Sequence, residues 1–220
     1  MSLLKIGTRP SPLAIRQVEE IKSFFPWVKF KIVKIATSGD KDKRIRFSDI
    51  EGSDFFTKEI DQALLKGKID IAVHSSKDLP DKIQKGLKIL WETPTISPSD
   101  VLVSRNKLKL SELASGSKIG TSSLRRKNQI YALRPDLKIV DIRGNVQERL
   151  ALLDSGNIDA LIVAEAALIR LGLLSRVSEV LNNNIFNTHP KQGSLTLVIK
   201  EDRWQEVRSI LSVQGRGIGS

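Results

Sequence analysis

Two successive series of strand and helix signals, divided by one proline-rich segment, constrain this chain more than any other feature. Short apolar, β-branched runs recur along it, and each is followed by residues at helical spacing, which is the pattern of α/β units. LLKIGT reads as a first strand. SPLAIRQVEEIKSFF reads as a helix: Ser11 suits the N-cap, Pro12 the first helical position, and Ala14, Val18, Ile21 and Phe25 make one apolar stripe. VKFKIVKIAT alternates as a strand, TKEIDQALLKGK predicts a helix from near Thr57 to Gly67, and IDIAVH and LKILWET are further strands. TPTISPSD then brings two prolines and four hydroxyl residues together, the composition of a hinge.

The second series has VLVS, SKIGT, LKIVDI and IDALIVA as strands, interleaved with helices SLRRKNQIYALR, NVQERLALLDSG and AEAALIRLG. The tail from LTLVIK to WQEVRSILS adds one more strand and helix, which can return to the first series. The expected fold is therefore α/β with two lobes, residues 1–95 plus 190–220 and residues 96–189, and a ligand cleft between them. No internal repeat, low-complexity tract or coiled-coil heptad is visible. The closely spaced glycines of GRGIGS lack a following helix and read as a flexible tail.

Composition limits the chemistry. With 220 residues, 40% hydrophobic and 28% charged, the chain can bury a proper core, and no stretch approaches the roughly 18 apolar residues of a membrane span. MSLLKIGTRPSP lacks a secretory pattern, so a cytoplasmic protein without a membrane partner is expected, with a monomer favoured. The absence of cysteine excludes disulfides, thiolate nucleophiles and cysteine-bound metal within this sequence. His74 and His189 are too few and too far apart for a zinc site, so no metal is expected.

The net charge of +11 points to an anionic partner. Residues 101–150 hold eleven Lys or Arg against four acids, so most of the excess sits mid-chain. A solvated basic face is the bland explanation. Nucleic acid is the rival, but aromatics are only 5% and none interleave with the arginines as stacking platforms, so no nucleic-acid partner is expected.

Three strand exits carry basic and hydroxyl residues. In GTSSLRRKN, Thr121, Ser122 and Ser123 stand where a helix starts, followed by Arg125 and Arg126. Free N–H groups at a helix start attract an anion, and guanidiniums grip carboxylates in bidentate fashion. DIRGNVQER places Arg143 before a Gly-Asn turn and Arg149 on the next helix, and GTRPSPLA places Arg9 and Ser11 similarly. Each alone fits a capped helix with a surface arginine; three together favour an anion-binding role. The nucleotide, serine-hydrolase and metalloprotease spacings G-x-x-x-x-G-K-[ST], G-x-G-x-x-G after a strand, G-x-S-x-G and H-E-x-x-H are missing. HSSKDLP, directly after IDIAV, is either ordinary turn chemistry or the frame of an acid–base carboxylate, Asp78.

GTRPSPLAIRQ, DIAVHSSKDLP, GTSSLRR, RPDLKIVDIRGNVQERL and DALIVAEAALIRLGL, in this order, closely resemble the porphobilinogen deaminase (hydroxymethylbilane synthase) family, from about residue 4 to about residue 205. The resemblance implies two periplasmic-binding-protein-like lobes with mixed β-sheets, and condensation of porphobilinogen into a linear tetrapyrrole with release of ammonia. Within it Asp78 is the catalytic carboxylate and Lys77 the neighbouring lysine. Arg9, Arg125, Arg126, Arg143, Arg149 and Arg170 match positions that bind acetate and propionate groups, with Lys58 a further match and Ser11, Thr121, Ser122 and Ser123 adding contacts.

Two departures from the family follow. The family's third domain and its cysteine, which holds a dipyrromethane primer, are absent, so the implied cofactor is dipyrromethane held only non-covalently. In EGSDFFTKEI, Ser53 and Asp54 stand where relatives have a glycine-rich loop with a lysine. Losing a cation and gaining an anion there weakens carboxylate binding by roughly 1–3 kcal/mol if the site is partly buried. The implied partners are porphobilinogen and anionic pyrrole oligomers. Three accounts follow: a minimal deaminase, a non-catalytic or chemically altered homologue that binds an anionic pyrrole, and a truncated fragment of the enzyme.

Overall fold

A computed structural model describes residues 3–41 and 54–212. The GRGIGS tail, Ser53 and the side chain of Asp54 lie outside what is described. The described residues form two units, the first of residues 3–41, 54–94 and 194–212, the second of residues 95–193.

In the first unit the elements are β1 (Leu3–Thr8), α1 (Pro12–Phe24), β2 (Lys29–Lys34), α2 (Ser38–Lys41), α3 (Lys58–Leu65), β3 (Ile71–Ser75) and β4 (Leu87–Glu92). The second contributes β5 (Asp100–Ser104), β6 (Lys118–Gly120), α4 (Leu124–Leu133), β7 (Lys138–Val140), α5 (Val146–Asp154), β8 (Ala160–Ala164), α6 (Glu165–Leu171) and β9 (Glu179–Val180). The chain then returns to the first unit as β10 (Leu195–Lys200) and α7 (Trp204–Leu211).

Each unit carries a mixed five-stranded sheet, in the order β2-β1-β3-β10-β4 in the first and β7-β6-β8-β5-β9 in the second. β1 runs parallel to β2 and β3, and β10 runs antiparallel to β3 and β4. The second sheet repeats the scheme: β6 is parallel to β7 and β8, while β5 is antiparallel to β8 and β9. Parallel pairs need crossover helices, so helices cover both faces.

Side-chain alternation assigns those faces. Ile71 and Val73 of β3 pack with Val18 and Ile21 of α1 and with Val207 and Leu211 of α7. Ala72, one residue out of phase, packs with Ile60 and Leu64 of α3. Burying each such Ile, Leu or Val is worth about 1.5–3 kcal/mol. In the second unit Ile130 of α4 joins Leu102 and Ile162 in one core, and Leu150 and Leu153 of α5 join Val101 and Val163 in the other.

The helix starts follow the local chemistry. Ser11 accepts the N–H of Ala14 at 3.2 Å, with Pro12 next in the chain. Asn145 and Glu148 form a capping box at α5, at 2.8 and 3.0 Å. Differences from the sequence reading are local. β2 ends at Lys34, three residues before the alternating run does, although Ile35 N–H still reaches Thr8 O at 2.8 Å. α2 and β9, four and two residues long, are too short to leave a periodic signal. Among the described residues no helix is long and apolar enough to cross a membrane.

Candidate functional site

In the first unit β3 ends at Ser75, and Ser76, Lys77 and Asp78 form a single 3-10 turn with Leu79 N–H bonded to Ser76 O at 3.4 Å. The turn is fastened to β10: Ser76 N–H donates to Ser194 O at 3.1 Å, and the Thr196 hydroxyl donates to Ser76 Oγ at 2.8 Å in the interior. Gln17 of α1 fixes the preceding residue, its Nε2 donating to Ser75 Oγ at 2.9 Å. The turn that presents Asp78 therefore rests on strand and helix anchors. Asp78 itself is half-buried, and among the described residues its carboxylate makes no hydrogen bond or ion pair.

A pocket of about 70 Å³ opens beside it, lined by Arg9, Ser11, Gln17, Thr57, His74 and Asp78 among others. Arg9 is held by two different contacts. Its Nε and Nη2 donate to Asp40 Oδ1 at 3.1 and 2.5 Å, and its guanidinium stacks 4.5 Å from the centre of the Phe56 ring. Burial pushes the Asp40 carboxyl up, but the Arg9 guanidinium and the Thr37 N–H outweigh that and hold it below its ordinary value. His74 is buried and neutral: burial lowers its pKa to about 4, helped by the positive charge of Arg9.

Three residues expected from the sequence, Arg9, Ser11 and Asp78, thus share one pocket. The Ser11 hydroxyl oxygen is engaged in capping α1. Lys77 is half-buried and Lys58 is exposed at the start of α3, and neither belongs to the pocket wall. The sequence does not single out Gln17 or Thr57 as site residues, and His74 enters it only as a rejected metal ligand. The period-two alternation of IDIAVHS was the available signal, since it sets His74 on the same side as Ala72, facing α3.

The second unit has a different polar centre. Asp100, the last residue of TPTISPSD, has no exposed surface and accepts from Arg126 Nη2 at 2.6 Å and Nε at 3.1 Å, from Arg125 Nη2 at 2.7 Å and from Gln192 Nε2 at 2.9 Å. Burial alone would raise the Asp100 pKa. The attraction and hydrogen bonds of Arg126, then of Arg125, overcome it and bring the pKa to about 2. Arg126 also donates to Ile162 O at 3.3 Å and is nearly inaccessible, whereas the Arg125 side chain keeps 27% of its surface exposed. Of this adjacent pair, Arg125 is the one that solvent reaches.

Thr121 and Ser122 are buried and Ser123 is half-buried, just before α4. The Ser122 hydroxyl both donates to Ile142 O and accepts Ile142 N–H at 3.0 Å, tying the β6 exit to the β7 exit. Arg143 and Arg149, both half-buried, flank Gly144, whose φ of 99° is left-handed and whose carbonyl accepts Arg149 Nε at 2.9 Å. Arg170, half-buried on α6, donates through Nη2 to Gly193 O at 2.7 Å. The structure thus groups Arg125 with Arg126 around Asp100 and Arg143 with Arg149 around one turn. Among the described residues no group of three His, Cys, Asp or Glu is arranged to hold a metal.

Comparison with known proteins adds a family to this geometry. Residues 4–208 match the family model described as porphobilinogen deaminase, dipyromethane cofactor binding domain. The porphobilinogen deaminase of Natranaerobius thermophilus is 42% identical over 204 residues, covering 90% of this chain and 66% of that protein. That of Thermus thermophilus is 44% identical over 205 residues, covering 91% and 66%. The chain spans about two thirds of the length of these curated relatives. Among solved structures, the methionine binding protein MetQ superposes with a TM-score of 0.57 at 16% identity, over 97% of this chain and 89% of its own. A Salmonella typhimurium periplasmic binding protein described for its arginine specificity gives 0.51 at 13% identity, over 96% and 92%. Both are likenesses of fold, that of periplasmic-binding-protein lobes.

Proposed function

The chain belongs to the porphobilinogen deaminase family, and from that premise we propose that it carries out the condensation of porphobilinogen into a linear tetrapyrrole with release of ammonia. The observation that carries the proposal is Asp78: half-buried in a pocket with Arg9, on an anchored turn, and with its carboxylate unengaged among the described residues. A carboxylate held this way can accept pyrrole N–H groups and stabilise developing positive charge without first breaking a bond of its own.

In the proposed reaction the carbon–nitrogen bond of the protonated aminomethyl group breaks and ammonia departs with the bond's electron pair, leaving a cationic methylene-pyrrolenine that Asp78 stabilises. The free α-carbon of the neighbouring pyrrole then forms the new carbon–carbon bond, and Asp78 assists removal of the α-proton. Lys77 is proposed to support the same turn. Arg9, Arg125, Arg143, Arg149 and Arg170 are proposed to hold acetate and propionate groups, with Lys58 as an outer cation. Arg126, committed to Asp100, is proposed to position Arg125. Ser11, Thr121, Ser122 and Ser123 shape the helix starts around these cations.

Dipyrromethane, when bound, supplies the nucleophilic pyrrole to which units are joined. The 220 residues contain no cysteine, so the residues that suit it are those that grip its carboxylates, and we propose a non-covalent hold. That these 220 residues hold no cysteine keeps a second reading, a homologue that binds an anionic pyrrole without turnover.

Incubation of the purified chain with porphobilinogen, following ammonia and oxidisable porphyrinogen, decides between the two. Asp78→Asn is expected to lower ammonia release by about 10²- to 10³-fold while pyrrole binding persists. Equal turnover by the variant would remove Asp78 from the chemistry. Bound pyrrole with only background turnover in the wild type would leave the second reading standing.

A further inference from the structure

His74 has a role in the first unit that the reaction above does not use. It lies on the α3 side of β3 with 4% of its side chain exposed, and its Nε2 makes no hydrogen bond. Asp61 Oδ1 of α3 stands 3.7 Å from that nitrogen, close enough to attract a charge but beyond hydrogen-bond range. Buried polar atoms without a partner are uncommon, because each retains its desolvation cost. The same ring forms part of the pocket wall together with Arg9, Ser11 and Thr57. The start of α1, a helix of 13 residues, lines the same pocket through Ser11, Leu13 and Ala14, and its positive dipole end favours an anion.

We infer that an oxyanion entering this pocket, a ligand carboxylate in the first instance, binds together with one proton that His74 takes up. The inference rests on the reading that the pocket receives a pyrrole carboxylate. With Nε2 turned to Asp61, Nδ1 is the ring nitrogen left for the pocket. The charged groups that face the ring are Arg9 from the β1 exit, Asp61 from α3 and Asp78 from the turn; Asp40 of α2 is already paired with Arg9. α1 and β10 present only neutral groups, Gln17 and Thr196.

Without an anion, burial and Arg9 keep the ring neutral. An anion against Arg9 cancels that repulsion and adds an attraction of its own. The protonated ring then donates on one side to the anion and on the other towards Asp61. The proton comes from solvent and no covalent bond changes.

Coupled uptake makes affinity rise as pH falls, by up to about tenfold per pH unit while the bound ring is protonated and the unbound ring is not. Sulfate is the probe, since its charge is constant between about pH 5 and 8, where imidazole titrates. Calorimetry of sulfate binding to the full chain, in two buffers of different ionisation heat, reads the protons taken up per anion. Nitrogen-15 spectra of the His74 ring read its protonation directly, with no variant needed.

The expected result is net proton uptake, with the ring moving to the imidazolium form at saturation. His74→Gln is expected to bind sulfate with a flat pH dependence. Sulfate binding without proton uptake, a ring that stays neutral, or no sulfate binding at all would each overturn the inference. Displacement of sulfate by porphobilinogen with the same proton count identifies the pyrrole carboxylate as the ligand. Proton-coupled sulfate binding that porphobilinogen does not displace keeps the inference for an inorganic oxyanion and defeats the reading of the pocket as a pyrrole site.

Discussion

In the second unit Asp100 is wholly buried and accepts four hydrogen bonds, while in the first unit His74, almost as buried, keeps a ring nitrogen without any. Both are ionisable groups withdrawn from water, and both have displaced pKa values. Asp100 is displaced by saturation: every favourable direction around its carboxylate is filled by side chains far away in sequence. His74 is displaced by lack, since nothing nearby repays the loss of water. A saturated charge holds a fold in one arrangement, whereas a neutral ring left short of partners is a group whose protonation a ligand can change.

The comparison is broken most directly by removing Asp100. Asp100→Ala leaves the buried Arg126 guanidinium without its carboxylate, beside the partly exposed Arg125, and is expected to destabilise the second unit by about 3–5 kcal/mol. His74→Gln removes no hydrogen bond and is expected to cost less than about 1 kcal/mol. Urea unfolding of the two variants measures both, and similar losses would show that the two groups do the same job.

Acid titration of stability sharpens it next. His74 is depressed from 6.5 to about 4, so the unfolded chain binds more protons within that window. Stability is therefore full above about pH 6.5 and falls as the pH drops towards 4, by about 3 kcal/mol in all. Asp100, lowered from 3.8 to about 2, contributes stability that is present above pH 3.8 and lost as the pH falls towards 2, about 2 kcal/mol. His74→Gln should flatten the upper window and leave the lower one unchanged. Loss of both windows in that variant would mean the two groups are not independent.

Smaller effects test the supporting residues. Ser122→Ala removes two hydrogen bonds to Ile142, leaves that buried N–H without its acceptor, and should cost about 1–3 kcal/mol in the same unfolding assay. Arg143→Ala is expected to weaken binding of a pyrrole dicarboxylate by about 1 kcal/mol or more, whereas Lys138→Ala, at an exposed strand position, should change it by a few tenths. Equal changes would reduce the mid-chain arginines to a solvated surface.

Much of this fold could be read from the sequence wherever a signal was local. α1 announced itself through Ser11, Pro12 and its stripe, and α5 through the Gly-Asn turn before it. β9 and α2 could not be read, because two and four residues carry no period. Arg9, Ser11 and Asp78 could be picked out because each follows a strand. The commitment of Arg126 could not, since its partner Asp100 lies 26 positions earlier, in a segment that looked like a hinge. Gly193 is similar: its φ of 93° and the 2.2 Å approach that a Cβ there would make to Thr95 Oγ1 depend on a chain crossing nearly a hundred residues away. What decides those positions is tertiary, and it enters the sequence only as single polar residues with no pattern around them.

The position of β10 carries a consequence for how the chain is made. Among the described residues β4 has no strand neighbour other than β10, which begins at Leu195, after residues 95–193 of the second unit have been synthesised. On a ribosome adding about 5–20 residues per second, β4 emerges without a pairing partner and waits several seconds for one. The described residues of the second unit, 95–193, run without a break, and their sheet needs no later strand to close. The order of birth is thus the reverse of the order of numbering: the unit begun first is finished last, and the edge it leaves open meanwhile is the stretch for a nascent-chain chaperone to shield.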